Sequence, residues 1–436
     1  MKTKQTSRRN FLRTAAAVSA PLVLGLNNTP RVHAAGSGVI KVGLVGCGGR
    51  GLGAAQQALS TGKDVKLVAV GDYFKQRAAN GAAALKKQFP EQVDVADDKI
   101  FDGFQNNEGV SAAGADVILI ACAAKFHPSY TLHALKAGKH VFCEKPNAVD
   151  ALGISVIEES VKTAKEKNLS FLCGLQSRFC PQYQAVTEQV HNGAIGDVKM
   201  IQSTFLRAPY GVRENVPAGS SELDFQVWSQ YMFNWLSGDD FTQSLVHNVD
   251  RMTWLLNGQT PTHAFGMGGR ASMTERIFGN VFDHHAATFI YPQDKLRYYA
   301  FCRTETGCYN QYDDLIIGTK GTVYWNAAKI TGETNWEYHG TKAGGHAEEQ
   351  VALFAGLRNG TRVHSDDYVI KSTTLAVLGQ IAAYTGNMIS WDEMVKSKFA
   401  LKPLPEECKA GIAPPVVPDE KTGSYPVVVP GQTKFW

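Results

Sequence analysis

Beyond its first 35 residues the chain nowhere offers the roughly 18 uncharged apolar residues that a membrane span requires. Charge of one sign is equally scarce. The 44 basic and 40 acidic residues leave a net +4, scattered rather than gathered into a stripe, which argues against a nucleic-acid partner. No Cys/His spacing matches a zinc site, so no metal is expected. Low-complexity tracts and internal repeats are also lacking, and 44% hydrophobic against 19% charged residues describes a well-packed soluble protein. A length of 436 residues suggests two domains. Of eight cysteines, Cys47, Cys122, Cys143 and Cys173 lie in or beside apolar runs, where thiols act as small hydrophobes. Cys302 and Cys308 are close enough to bridge a hairpin, although spacing does not establish it.

The first 35 residues stand apart from the fold. Ser7-Arg8-Arg9-Asn10-Phe11-Leu12-Arg13 precedes a modestly apolar stretch from Thr14 to Leu26, then Val32-His33-Ala34 with small residues where a signal peptidase cuts. The arginine pair before Phe-Leu resembles a twin-arginine signal, a route for folded cargo. It predicts a soluble, exported, periplasmic product.

From residue 38 to 175, short apolar runs alternate with helical stretches. Ile40–Val45, Val65–Val70, Asp116–Ala121, His140–Cys143 and Ser170–Cys173 read as strands, with helices over Gly51–Ser60, Lys75–Gln88, Pro128–Ala137 and Ala151–Lys167. Continuous apolar runs separated by helices predict an α/β domain with a doubly wound parallel sheet. Residues 176–400 change character. Val198–Leu206, His285–Tyr291, Leu296–Arg303, Leu315–Ile317 and Thr322–Trp325 interleave polar residues, which predicts an α+β domain with an open antiparallel sheet. Helical periodicity marks Asp239–Leu256, Glu348–Arg358 and Ser372–Thr385, and a Pro-rich tail fills 401–436.

Directly after the first strand, Gly46-Cys47-Gly48-Gly49-Arg50-Gly51 fits G-x-G-x-x-G, with Asp72 closing the second strand about 20 residues on. Strand before and helix after give the motif its context. Gly46 would allow the tight turn, Gly48 the approach of a pyrophosphate and Gly51 close helix–strand packing. The helix N-terminus then faces phosphate with its positive dipole end. Asp72 can accept from ribose hydroxyls and repel a 2′-phosphate, so NAD is expected over NADP, with Lys75 and Arg77 keeping NADP open. An exported enzyme would acquire that dinucleotide before crossing the membrane.

His140-Val141-Phe142-Cys143-Glu144-Lys145-Pro146 ends a later strand, where ligands of doubly wound sheets sit. A lysine there can exchange a proton with a substrate hydroxyl; a loop ion pair before a turn proline is the bland alternative. The glycine motif, Glu-Lys-Pro and the antiparallel second domain together resemble the glucose–fructose oxidoreductase / inositol dehydrogenase / rhizopine catabolism family, Gfo/Idh/MocA. Gly193-Ala194-Ile195-Gly196-Asp197-Val198, Gly318-Thr319-Lys320-Gly321 and Tyr384-Thr385-Gly386 also look like it, so the likeness spans about residues 38 to 395. The resemblance implies that Lys145 is the catalytic acid/base, with Glu144 and Pro146 shaping the nicotinamide end. It further implies an Asp and a His four residues apart on a helix of the second domain. Here His247 stands at the second position, but Gln243 replaces the Asp. Residues at i and i+4 share a helix face, so both are expected to reach one ligand, with His247 in general acid/base work. Asp250 could fix the His247 tautomer or pair with Arg251.

Arg178, after the last strand, could reach the nicotinamide edge or a substrate oxygen. Trp228, Tyr231, Trp235 and Tyr210 offer faces on which sugars stack, although packing or a subunit interface explains aromatics as well. The expected activity is NAD-dependent hydride transfer on a sugar, cyclitol or glycoside by a homo-oligomer. A glycosidase that uses NAD transiently, and a non-catalytic sugar-binding relative, are the competing readings. Export favours the former and Gln243 the latter.

Overall fold

The computed structural model describes residues 38–212 and 215–436; the signal-like segment lies outside the described residues. The chain from Val39 to Trp436 forms one compact unit. It opens with β1 (Ile40–Val45), α1 (Gly49–Leu59), β2 (Val65–Gly71), α2 (Lys75–Gln88), β3 (Ile100–Phe101), α3 (Asn106–Ala112), β4 (Val117–Ile120), α4 (His127–Lys136), β5 (His140–Cys143), α5 (Ala151–Glu166) and β6 (Phe171–Cys173). The six strands are parallel in the order β3-β2-β1-β4-β5-β6. Their apolar runs are continuous because each strand feeds two cores. Val117, Leu119, Phe142 and Leu172 point into one, while Ile118, Ile120, Val141 and Phe171 point into the other. The period-2 alternation of side chains thus survives inside a run that has no polar member.

The second sheet follows α6 (Pro181–His191) and begins with β7 (Val198–Arg207). Short helices α7 (Glu222–Trp228) and α8 (Asn234–Ser237) then lead into a π-helical turn, Phe241–Leu245, and α9 (Val246–Leu255). Next come β8 (His263–Gly269), β9 (His284–Ile290), β10 (Arg297–Thr304), β11 (Gln311–Gly318), β12 (Gly321–Tyr324), β13 (Lys329–Gly332) and β14 (Trp336–Glu337). The chain closes with α10 (His346–Asn359), α11 (Val369–Thr385), β15 (Ile389–Ser390) and α12 (Trp391–Lys396). The nine strands run in the order β14-β13-β12-β11-β7-β10-β9-β8-β15. The expected antiparallel pairing needs one correction, because β7 and β10 lie parallel at the centre. The chain leaves β7 for the helices and the β8–β9 hairpin and re-enters β10 in the original direction.

The stretch Asp239–Leu256 is helical as expected, its first part, Phe241–Leu245, wound as a π turn that runs on into α9. The bridge between Cys302 and Cys308 does not form: all eight cysteines are free, with Cys302 buried against His285 Nδ1 at 3.4 Å. The tail from 401 carries one short 3-10 turn and is fastened by Leu401 N–H donating to Asp150. A feature absent from the sequence pattern is the return of α10 to the first domain. Its Leu353, Phe354 and Leu357 enter the core beside α1, and Arg358 pairs with Asp64 at 2.8 Å.

Candidate active site at the ends of the parallel strands

The glycine loop is built by exclusion. Gly46 has φ +92°, and a Cβ on it would stand 2.5 Å from the backbone of Ala121 and Cys122. A Cβ on Gly51 would stand 1.8 Å from the Gly46 carbonyl oxygen. Gly48 and Gly49 meet nothing within 4 Å, so the start of α1 is open on the side where a pyrophosphate would lie. These residues fit a dinucleotide: backbone packs tightly behind the loop and is bare in front of it.

Asp72 is buried at the end of β2. Its carboxylate accepts from Cys47 N–H at 2.8 Å and Phe74 N–H at 3.0 Å, and Arg77 lies 3.7 Å away. It therefore braces the glycine loop besides facing the ribose position. Arg77 also stacks on Trp228 at 4.1 Å, which brings α7 over the end of β2. A cavity of about 760 Å³ opens there, lined by Phe74, Arg77, Phe104, Pro217 and Trp228 among others.

Glu144 and Lys145 emerge from β5 beside this loop. Arg50 Nε lies 2.7 Å from Glu144 Oε1, tying the glycine loop to the Glu-Lys-Pro segment. Burial pushes the Glu144 carboxyl up, opposed by Arg50 and Lys145. His127 supports the same loop from below, its Nδ1 2.7 Å from the Pro146 carbonyl. Lys145 Nζ donates to the Gln243 carbonyl at 2.7 Å, so the first domain reaches the second through this lysine.

Gln243 belongs to the π turn and His247 to the first turn of α9. A π turn accommodates about one residue more than an α turn, which shifts side chains out of i,i+4 register. Gln243 lines a small cavity with Arg207, Tyr210, Tyr231 and Asp240, and His247 is not part of that lining. His247 Nδ1 is buried without a hydrogen-bond partner, and burial, with Lys145, Arg251 and His346, depresses its pKa well below the usual value. This favours the neutral imidazole.

Arg178 is placed differently from its expected role. Its guanidinium grips Asp250 at 2.8–3.0 Å and stacks on Tyr368 at 3.8 Å, facing a cleft with His191, Trp254 and Lys371. Asp250 is thereby spent on Arg178 and Ser372, and neither fixes His247 nor pairs with Arg251. The aromatics divide as well. Trp235 is core, donating to Gln226 at 3.0 Å, whereas Tyr210 and Tyr231 pack at 5.0 Å on the Gln243 cavity.

Two residues at the site escaped sequence reasoning. His346 and Glu349, in the first turn of α10, come up against Glu144. A glutamate on a helix between polar neighbours looks like a solvated face, so no local signal distinguished Glu349.

The parallel sheet, the glycine loop at a helix N-terminus and the acid closing β2 define a dinucleotide-binding Rossmann domain. Residues 40–175 match the GFO_IDH_MocA model, described as an oxidoreductase family with an NAD-binding Rossmann fold. Inositol 2-dehydrogenase of Rhizobium meliloti is 24% identical over 348 residues, covering 79% of this chain and 87% of that protein. Inositol 2-dehydrogenase of Acidothermus cellulolyticus is 27% identical over 219 residues, 50% of this chain and 54% of that one. The chain spans about half the length of this and several further curated relatives it matches. The fold is shared with scyllo-inositol dehydrogenase of Lactobacillus casei, solved with NAD(H) and scyllo-inositol: TM-score 0.60, 21% identity, covering 81% of this chain and 99% of that one.

Proposed function

We propose that the protein is an NAD-dependent oxidoreductase acting on a sugar, cyclitol or glycoside, with Lys145 as its proton carrier. The observation that carries this reading is the position of Lys145, at the carboxyl end of β5 and joined to the π turn of the second domain. Bound NAD would supply the hydride acceptor. Lys145 takes the proton of the substrate hydroxyl, and His247, neutral with a free Nδ1, accepts a hydrogen bond from an adjacent hydroxyl or relays the proton. Arg207, Tyr210 and Asp240, joined by contacts of Arg207 with the other two, supply hydroxyl-binding groups around Gln243. The inositol dehydrogenases among the relatives support a polyol as substrate. Dinucleotide reduction with a panel of cyclitols and sugars tests the reading. Release of an aglycone without net redox change would replace it with the glycosidase, and sugar binding with neither reaction would replace it with a non-catalytic relative.

Cofactor choice rests on Asp72. Asp72→Asn keeps an acceptor for the glycine loop but removes the charge that would repel a 2′-phosphate. Its preference for NAD over NADP should narrow by about tenfold or more, a difference of about 1.4 kcal/mol, in calorimetric titration. An unchanged ratio would make Asp72 a brace alone.

Export by the twin-arginine route is part of the same reading, as is assembly into a homo-oligomer, which the exposed Phe265 and Met267 on one face of β8 support. Changing Arg8 and Arg9 together to Lys should leave the protein in the cytoplasm, as judged by fractionation. Unchanged export would defeat the twin-arginine assignment.

A further inference from the structure

We propose that Glu144, His346 and Glu349 form a binding site for a divalent transition ion of the zinc class, beside Lys145. Glu144 comes from the end of β5, and His346 and Glu349 from the first turn of α10, three residues apart on one helix face. One ligand atom from each lies within 4.8 Å of the others, and His346 Nδ1 is already 3.5 Å from Glu349 Oε1. A tetrahedral ion with bonds of about 2.0–2.1 Å needs neighbouring ligand atoms about 3.3 Å apart, so a closure of at most about 1.5 Å completes the set. The helix start is well pinned for this: Gly345 sits where a Cβ would fall 2.1 Å from the Gln176 carbonyl oxygen.

Glu349 supplies the second, independent observation. It is 0% exposed, yet neither of its oxygens accepts a hydrogen bond. His346 Nδ1 is likewise buried without a hydrogen bond. Buried carboxylates are otherwise paired or coordinate metals. Arg50 does not resolve the deficit, because its one positive charge is taken by Glu144 while a second carboxylate stands behind it. A divalent ion brings the missing charge. Arg50 has somewhere to go, since its Nη2 already donates to Gln57 at 2.6 Å and its side chain is 28% exposed. One imidazole and two carboxylates form a mixed N/O donor set suited to Zn²⁺, and three protein ligands leave one position open, the arrangement of catalytic rather than structural zinc.

The test uses the full-length, untagged protein, stripped with chelator and titrated calorimetrically with Zn²⁺, and in parallel with Mn²⁺. One equivalent of Zn²⁺ should bind. Glu349→Gln and His346→Ala should each weaken it by more than about 100-fold, beyond the 10–100-fold that loss of a supporting outer-shell partner costs. NAD affinity and the melting temperature are measured on each variant as checks of folding. Should Glu349→Gln not fold, His346→Ala, at the partly exposed start of α10, carries the test. The proposal is overturned if no stoichiometric Zn²⁺ or Mn²⁺ binding occurs, or if the variants bind as the parent does. It is also overturned if Glu349→Gln loses NAD affinity while metal uptake is unchanged, which would turn the carboxylate toward the dinucleotide instead. Metal uptake is read without turnover, so failure of the oxidoreductase reading would leave this result standing on its own.

Discussion

Lys145→Met is expected to lower turnover by roughly two to four powers of ten while leaving dinucleotide and sugar affinity largely intact, since a positioned acid/base contributes about that much. Methionine retains most of the apolar stem and removes the atom that can carry a proton. The loss to the fold is one hydrogen bond, from Nζ to the Gln243 carbonyl at 2.7 Å. Glu144 and its link to Arg50 are untouched, so the approach to the glycine loop remains. His247→Asn should cost less if Lys145 alone carries the proton and comparably if the two act as a unit, because losses within a unit do not add. Full activity of Lys145→Met on an established substrate would move the catalytic centre away from β5. The π turn adds a sharper companion experiment. Lys145 is held by the backbone of residue 243, so Gln243→Asp alters the side chain in the cavity without removing that anchor. Faster turnover of a simple polyol by Gln243→Asp would show that an acid at this position still couples to Lys145.

The parallel sheet was legible because a strand buried on both faces is mostly apolar, with polar residues confined to Lys41, Lys66 and His140 in β1, β2 and β5. Ile40–Val45 and His140–Cys143 coincide with the apolar runs residue for residue. The glycine loop was legible for a related reason, as Gly46 and Gly51 answer contacts that a Cβ would violate, while Gly48 leaves the front of the loop bare. Three kinds of feature were not. Short edge strands such as β14 and β15, two residues each, carry too few positions for a pattern. The π turn has the same hydrophobic content as the α-helix it interrupts, so periodicity over Asp239–Leu256 passed through it unseen. Ion pairs across domains leave no local trace. Arg178 stands at a strand end where a ligand contact is chemically reasonable, and only the fold shows Asp250, 72 residues away, taking its guanidinium. Glu349 is the extreme instance: its neighbour Glu144 lies some two hundred residues back along the chain, and a helical glutamate without that neighbour looks like surface.

The same limit conceals the linkage with the largest expected effect on stability. Pairing with its neighbour Asp250 was one of two expectations for Arg251, but it points the other way, into the second sheet, where its Nη2 meets Asp314 Oδ2 at 2.9 Å with both side chains 0% exposed. Burial opposes the charge on Arg251, yet Asp314 outweighs it and holds the guanidinium ionised. Asp314 also accepts from Asn248 at 2.8 Å and from Ser203, so one carboxylate on β11 fastens α9 and β7 together. Breaking a buried pair from one side leaves a charge with no counter-ion, at a cost of about 3–5 kcal/mol. Asp314→Asn should therefore lower the melting temperature by on the order of 10 °C. The companion Arg251→Met/Asp314→Leu removes both charges and should recover most of that loss, since apolar replacement of a whole buried pair is often close to neutral. Asparagine keeps an oxygen that can accept from Asn248 and Ser203, whereas the double variant gives those hydrogen bonds up as well, so recovery in the double variant would identify the stranded charge as the larger cause. His247 stands one helical turn from Arg251, so the double variant also tests whether this anchor positions the site: restored stability with turnover still reduced would make Arg251 a positioning residue. A single variant within about 1 kcal/mol of the parent would mean that solvent reaches Arg251 and that the second sheet does not depend on the pair.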